Sequence, residues 1–219
     1  MRDKVTVDLH KVMHVAKERV KYLEPLIRQL YWQDVAYCTY TSRTRGISPG
    51  TRLSDDGEEA LRMLKGCLTG KDGFPPGVML MGLCGTGKTT LLRAVYRALK
   101  ALYHDEDYRI FLRTAGDIVR LAKDDKQAYR HLMDSDVLLM DDLGFMGEGE
   151  MLNDYGNKSM PMVDMMEYRY RYHLTTICTT NLDPSQMKNR YGDRIYSRNA
   201  QFFTFAPFTG DDYRRPAVQ

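Results

Sequence analysis

The sequence has few of the features that indicate a membrane-bound, secreted or metal-cluster protein. No run of 18 apolar residues occurs, and the N-terminus has no apolar segment typical of a signal peptide. The four cysteines are scattered without C-x-x-C spacing, which argues against a zinc site or a disulfide framework. The net charge of +3 is too small to establish a polyanionic partner. These absences predict a cytoplasmic protein with no membrane partner.

The 219 residues are enough for one domain with a real core and a small appendage. Apolar residues fall at helical spacing over 8–31, where Pro25 is expected to kink the helix or begin a second one. The first fifty residues hold nine Lys and Arg against five Asp and Glu. Their last ten, 41–50, are rich in Gly, Pro, Ser and Thr, which interrupt helices and strands. We therefore predict a helical N-terminal arm and linker over 1–50 and a core over 51–219.

The segment 82–89 reads Gly-Leu-Cys-Gly-Thr-Gly-Lys-Thr and fits the phosphate-binding pattern G-x-x-x-x-G-K-[ST] at every fixed position. An apolar run at 77–81 precedes it and helical spacing at 91–99 follows it, which is the strand–loop–helix context that the motif needs. Backbone N–H groups and the helix dipole then converge on a phosphate chain. The predicted nucleotide-binding residues are Gly82, Cys84, Gly85, Thr86, Gly87, Lys88, Thr89 and Thr90.

Another buried strand, predicted at 137–142 and third along the chain, ends in two carboxylates. Asp141 emerges at the carboxyl end of that strand, where it is expected to hold Mg²⁺ together with the Thr89 hydroxyl, while Lys88 contacts the β- and γ-phosphates of ATP. Asp142 is expected to orient the attacking water. Taken alone, two aspartates after a strand are equally consistent with a helix cap or a turn.

Asn181 ends another apolar strand and is a candidate to contact the γ-phosphate or the lytic water. The alternative is an Asx-turn before Pro184.

The rest of the chain alternates strands with helices. Helices are predicted at 54–69, 115–121, 127–133 and 190–198, and strands at 77–81, 108–112, 137–142, 175–180 and 201–205. Residues 144–157 contain four glycines and no apolar period, so we expect a surface loop there. This alternation predicts an α/β fold in which a parallel sheet is covered on both faces.

Five segments, taken in order, resemble the AAA+ ATPases of the DnaC/IstB type. They are the phosphate loop, 138–144, Thr179-Thr180-Asn181-Leu182, 193–198 and 210–214, and the resemblance spans roughly residues 55–215. It implies a P-loop NTPase with a three-layer α/β/α architecture, a five-stranded sheet in the order 5-1-4-3-2, and ATP at the junctions of a ring, spiral or filament. It also implies DNA, single- or double-stranded, as a ligand.

The resemblance assigns roles to four polar side chains. Asn181 corresponds to the sensor-1 residue, Arg198 to an arginine finger given to a neighbour's ATP, and Arg214 to the second sensor; Arg194 is the alternative finger. The chain departs from the family at Cys84, where proline is common, and at Asp142, where many members have Glu. No C-terminal lid domain is expected after the last strand.

The function predicted first is an ATP-dependent helicase loader that binds DNA, with single strands favoured, and a replicative helicase. The alternative is an IstB-like transposition helper with a transposase as partner, and a small-molecule kinase is a third possibility. Candidate DNA contacts are Arg43, Arg45, Lys123, Lys126 and Lys158 with Tyr155, although a solvated surface explains each equally well.

Overall fold

The structure is a computed structural model that describes residues 17–42, 53–71, 73–104, 107–146, 150–154 and 157–213. Its strands are β1 (Gly77–Gly82), β2 (Ile110–Thr114), β3 (Val137–Leu143), β4 (Leu152–Asp154), β5 (Asn157–Ser159), β6 (Thr175–Thr180) and β7 (Phe203–Phe208). Its helices are α1 (Lys17–Ser42), α2 (Asp55–Thr69), α3 (Lys88–Leu102), α4 (Ala115–Asp124), α5 (Lys126–Met133), α6 (Pro161–Arg171) and α7 (Pro184–Phe202).

Five of the strands form one parallel sheet in the order β2-β3-β6-β1-β7. Counting only these five along the chain, the order read from the other edge is 5-1-4-3-2, so the predicted topology is confirmed. The order places β1 between β6 and β7, and the carboxyl ends of β1, β3 and β6 meet at one edge of the sheet. Ligands of such sheets bind at that edge.

Alternate strand residues enter two separate cores, one on each face of the sheet. Val78 and Leu80 pack with α1, α2 and α3, whereas Met79 packs with α4, α6 and α7 on the opposite face. Successive side chains of a strand point to opposite faces, so a strand buried on both sides is apolar throughout. The three-layer α/β/α prediction is thereby confirmed.

The helix boundaries that rest on capping residues agree with the sequence. Ser54 accepts a hydrogen bond from the Gly57 N–H at the start of α2, and Gly70 ends that helix in the left-handed conformation with φ 62°.

The strands β2 and β7 lie about two residues later than predicted. No helix among the described residues is long and apolar enough to cross a membrane.

Two segments differ from the prediction. Instead of a plain surface loop over 144–157, the described part of this stretch contains a buried Glu150 and the strand β4, which pairs antiparallel with β5. The helix α1 extends to Ser42, with Pro25 inside it rather than at the start of a second helix, and residues 8–16 lie outside the described part. Leu23 and Ile27 of α1 are fully buried in the same core as α3. The domain boundary at residue 50 stays a prediction.

Candidate nucleotide-binding site

The phosphate loop joins β1 to α3, as the motif predicts. Gly87 is the N-cap of α3 with φ 95°, and Gly85 has φ 83°, so both lie in the left-handed region that other residues rarely adopt. A side chain at Gly85 would also collide with the carboxylate of Asp212. The loop leads directly into the N-terminus of α3, and the N-terminus of a helix favours binding of an anion.

Lys88 is held within its own loop. Its side chain is buried, and Nζ donates hydrogen bonds to the carbonyl oxygens of Gly82 (2.7 Å) and Leu83 (2.6 Å). A third contact joins Nζ to Thr86 Oγ1 at 3.4 Å. These bonds fold the loop around the ammonium group, which places a fixed positive charge where a phosphate chain would bind.

Asp141 joins the phosphate loop to the neighbouring strand. Its carboxylate is 6% exposed, and Oδ1 accepts hydrogen bonds from the hydroxyls of Thr89 (3.0 Å) and Thr179 (2.7 Å). The structure therefore brings together the two residues, Thr89 and Asp141, that the sequence predicted as Mg²⁺ ligands. The position of Thr179 was not predicted as part of the site, although it precedes Asn181 on a strand beside β3.

The donor set suits Mg²⁺. A carboxylate and a hydroxyl are hard oxygen ligands, and Mg²⁺ usually takes one or two protein ligands and completes its shell with water and phosphate oxygens. Among the described residues, no group of three or more His, Cys, Asp and Glu could hold a metal ion by itself. Thr89 and Asp141 fit a metal that is shared with a nucleotide rather than one caged by protein.

Asp142 has an unusual backbone conformation, with φ 58° in the left-handed region. Its N–H donates to Thr179 Oγ1 at 2.9 Å, so one threonine hydroxyl contacts both aspartates of the motif. The pairing of β3 with β6 also shifts register between Met140 and Leu143. Such irregularities redirect a side chain at the end of a strand.

Asn181 lies beside the phosphate loop. Its Nδ2 is 3.3 Å from Sγ of Cys84, the residue that replaces the proline common at this loop position. The side chain that the sequence identified as the sensor therefore contacts the loop directly. Thr90 occupies the first turn of α3, as expected from the motif.

The two candidate arginine fingers share one partner on a neighbouring helix. Arg198 Nη1 lies 3.0 Å and Arg194 Nε 3.2 Å from Oε1 of Glu167 in α6. The Arg198 guanidinium also stacks over the Tyr170 ring at 5.4 Å. Within the described residues, both arginines therefore pair with α6, and neither pairs with the phosphate loop.

The first helix and the last described residue also approach the phosphate loop. The Tyr213 N–H donates to the Gly85 carbonyl at 3.1 Å, while the hydroxyl of Tyr31 in α1 lies 3.0 Å from the position of a Cβ on Gly87. Burial, with Tyr213 nearby, raises the pKa of Tyr31 to about 12. Tyr31 gave no sequence signal, and Asp212 belongs to the predicted 210–214 segment but was assigned no role, because both contacts join residues far apart in the chain. Arg214 lies outside the described residues.

The predicted DNA contacts are dispersed. Lys123 and Lys126 are exposed near the junction of α4 and α5. Arg43, Arg45, Tyr155 and the side chain of Lys158 lie outside the described part of the structure.

Comparison with known families decides the class of this site. Residues 78–200, more than half of the chain, match the model of the ATPase family associated with various cellular activities (AAA). The chain belongs to the AAA family. It is therefore an ATPase whose phosphate loop, Asp141 and Asn181 all fall within the matched region.

Solved structures agree with this assignment at the level of the fold. The DnaC helicase loader is similar at 22% identity with a TM-score of 0.54, over 72% of this chain and 92% of that one. DnaI is similar at 23% identity and a TM-score of 0.54, over 75% and 87%. AMPPCP-bound DnaA from Aquifex aeolicus is similar at 20% identity and a TM-score of 0.57, over 75% of this AAA protein and 50% of DnaA. The predicted resemblance to DnaC-type AAA+ ATPases is confirmed in family and in fold. A search of the curated proteins found no match.

Proposed function

We propose that this AAA ATPase is a DnaC-like helicase loader that assembles on DNA with ATP at its subunit junctions. The observation that carries the ATPase part of the proposal is the hydrogen-bonded set Thr89–Asp141–Thr179, which joins the phosphate loop to β6, the strand that Asn181 follows. In this proposal, these two hydrogen bonds connect the phosphate loop to the centre of the sheet. The similarity in fold to the DnaC helicase loader supports the choice of a loader.

The chain's own residues divide the work of ATP hydrolysis in this proposal. Lys88 neutralises charge on the β- and γ-phosphates, while the loop N–H groups hold the phosphate chain. Thr89 and Asp141 would hold Mg²⁺, which supplies further neutralisation of the phosphate oxygens when bound. Asp142 orients the attacking water, and Asn181 contacts the γ-phosphate. The short Asp142 side chain, where many relatives have Glu, suits slow turnover in a switch.

Arg198 completes a neighbouring subunit's site in this proposal. It forms an ion pair with Glu167 of α6 rather than with the phosphate loop of its own subunit, which supports a role in trans. A cation of this kind stabilises charge that develops during phosphoryl transfer. Arg194, which contacts the same carboxylate oxygen, is the alternative finger, and Arg214 is proposed as the second sensor.

A transposition helper of the IstB type is the alternative, since the same site would serve it equally well. The decisive experiment uses the Asp142→Asn protein, loaded with ATP, as bait in an extract of the source organism. Lys88→Ala is the matched bait that cannot hold ATP. We expect a hexameric replicative helicase to be recovered with Asp142→Asn and to be depleted with Lys88→Ala.

Recovery of a transposase would favour the IstB-type function and remove the loader. A kinase would be recognised in a separate assay, because its ATP turnover would need a soluble acceptor and ignore single-stranded DNA. Filter binding with single-stranded DNA tests the nucleic-acid partner, and we expect binding that requires ATP and weakens steeply as salt rises. The same affinity without ATP, or a flat salt response, would contradict the proposed DNA partner.

A further inference from the structure

Glu150 is a fully buried carboxylate that no sequence motif accounts for. It lies after the β3 strand that carries Asp141 and Asp142, in the stretch predicted as a surface loop. A buried carboxylate is costly unless hydrogen-bond donors satisfy it. Two donors do so here, and they come from different parts of the ATPase.

The first donor is the backbone beside Asp142. The Gly144 N–H donates to Glu150 Oε1 at 3.0 Å. Gly144 has φ 85° and Asp142 has φ 58°, so two of three consecutive residues adopt the left-handed conformation, and the Phe145 N–H closes the turn on the Asp142 carbonyl at 3.1 Å. A turn with this backbone persists only where its surroundings hold it.

The second donor lies on the helix that carries the candidate arginine fingers. The Tyr191 hydroxyl donates to Glu150 Oε2 at 2.7 Å, and the Tyr191 side chain is almost fully buried. Burial first, and Glu150 next, raise the pKa of Tyr191, so the phenol remains protonated and able to donate. Tyr191 immediately precedes Gly192, where α7 departs from helical geometry with φ 84°, and Arg194 and Arg198 follow in its second half.

We infer that Glu150 is a positioning residue for ATP hydrolysis. It holds the backbone of the Asp142 turn through Gly144 and anchors that turn to α7 through Tyr191. The inference rests on the proposed role of Asp142 in orienting water, and it adds a physical connection between that carboxylate and the helix that presents Arg194 and Arg198. It assigns Glu150 no contact with the nucleotide, whose phosphates are held by the loop at 82–89.

Nucleotide affinity and turnover should therefore respond differently to substitutions at Glu150. Tyr191→Phe removes one hydroxyl and keeps the packed ring, whereas Glu150→Ala removes both acceptors. Glu150→Gln keeps an oxygen that accepts from Gly144 and gains an amide N–H that donates to the Tyr191 oxygen, so this hydrogen bond is kept with its direction reversed. Tyr196→Phe, on the same helix, is the matched control, because the described structure shows no hydrogen bond from its hydroxyl. Each protein is compared for ATP affinity, single-turnover hydrolysis and thermal unfolding.

We expect Tyr191→Phe and Glu150→Ala to bind ATP with a Kd within about twofold of the wild type. Their kcat should fall about tenfold or more, the loss typical of removing a group that orients a site residue. Glu150→Gln should recover most of the rate, and Tyr196→Phe should behave as the wild type. If Glu150→Ala does not fold, Tyr191→Phe decides the matter, because it leaves the buried carboxylate hydrogen-bonded to Gly144.

The result that would overturn the role of Glu150 is a folded Tyr191→Phe protein with wild-type kcat. A fall in ATP affinity equal to the fall in rate would overturn it as well, because a loosened phosphate loop would then explain both. Absence of ATP turnover in the wild type is a different result, which would remove the proposed hydrolytic function itself.

Discussion

Asp142 illustrates how backbone conformation restricts a single residue. Its φ of 58° is accessible to Asp and Asn more readily than to other side chains, because their short polar groups tolerate the left-handed region. The same position is the one proposed to orient water. A substitution that tests the chemistry must therefore preserve the conformation, and asparagine, which is also closest to aspartate in size, does so.

We expect Asp142→Asn to bind ATP normally and to hydrolyse it at least about 100-fold more slowly, because the basic carboxylate oxygen is lost. Its midpoint of urea unfolding should equal that of the wild type, because asparagine tolerates the same backbone conformation. Asp142→Ala should lose hydrolysis too, and should also lower the free energy of unfolding by about 1 kcal/mol. Phosphate release and urea unfolding measure the two effects. Equal stability of the two variants would contradict the conformational argument.

Cys84 is the exposed thiol among the cysteines whose side chains are described. It is exposed on the phosphate loop, while burial raises the pKa of Cys67 to about 12 and also raises that of Cys178. In a Cys38→Ser background, we expect a thiol reagent to modify Cys84 faster than the two buried cysteines, because the thiolate is the attacking species and burial disfavours it. Bound ATP should slow the reaction, because it would cover the loop that carries Cys84. Mass spectrometry locates the label. Labelling of Cys84 that ATP leaves unchanged would contradict nucleotide binding at this loop.

At the scale of elements, α1 connects the N-terminal region to the ATPase core. Leu23 and Ile27 are fully buried against the core that contains α3, and Tyr31 of the same helix reaches Gly87 of the phosphate loop. The helix that begins at the phosphate loop thus packs on a helix contributed by the N-terminal region. Changes in that region can therefore affect nucleotide binding through packing alone.

We expect Leu23→Ala to lower the free energy of unfolding by about 2–5 kcal/mol, because it leaves a cavity in a closed core. Gln29→Ala, at an exposed position of the same helix, is the matched control and should change stability little. Urea unfolding followed by the fluorescence of Trp32, the single tryptophan, reports on this helix directly. A Leu23→Ala protein as stable as Gln29→Ala would show that α1 is not part of the cooperative core.

At the scale of the whole molecule, the question is whether one subunit contains a complete site. Lys88, Thr89, Asp141, Asp142 and Asn181 converge at one edge of the sheet, whereas Arg198 and Arg194 pair with Glu167 on α6. Arginines that pair outside the phosphate loop of their own subunit are what the proposal of a site shared between subunits requires.

We expect Arg198→Ala to bind ATP but to hydrolyse it about 10³-fold more slowly, the effect of losing an arginine finger. Lys88→Ala should not bind ATP, yet its Arg198 is intact. A mixture of the two proteins should therefore regain part of the hydrolysis rate, measured at concentrations where the wild type assembles. If the mixture stays inactive, Arg194→Ala should be mixed in the same way to test the alternative finger.

The sequence by itself determined those features that depend on local chemistry. The strand–loop–helix around Gly82–Thr89, the helix at 54–69 and the apolar strand that carries Asp141 were all predicted correctly, because glycine conformation, capping and periodicity act over a few residues. The resemblance to DnaC-type ATPases supplied the sheet order, which periodicity alone does not contain. The roles of Asn181, Arg198 and Arg214 stay predictions.

Only the tertiary structure decided which distant residues meet. Glu150 was predicted to lie in a surface loop, yet it is buried because Gly144 and Tyr191, 6 and 41 residues away in sequence, supply its hydrogen-bond donors. Thr179 joins Asp141 because parallel pairing places β6 beside β3, and Tyr31 reaches Gly87 because α1 packs on α3. Such contacts leave no local pattern, since each partner alone is an ordinary polar residue whose environment is created by folding.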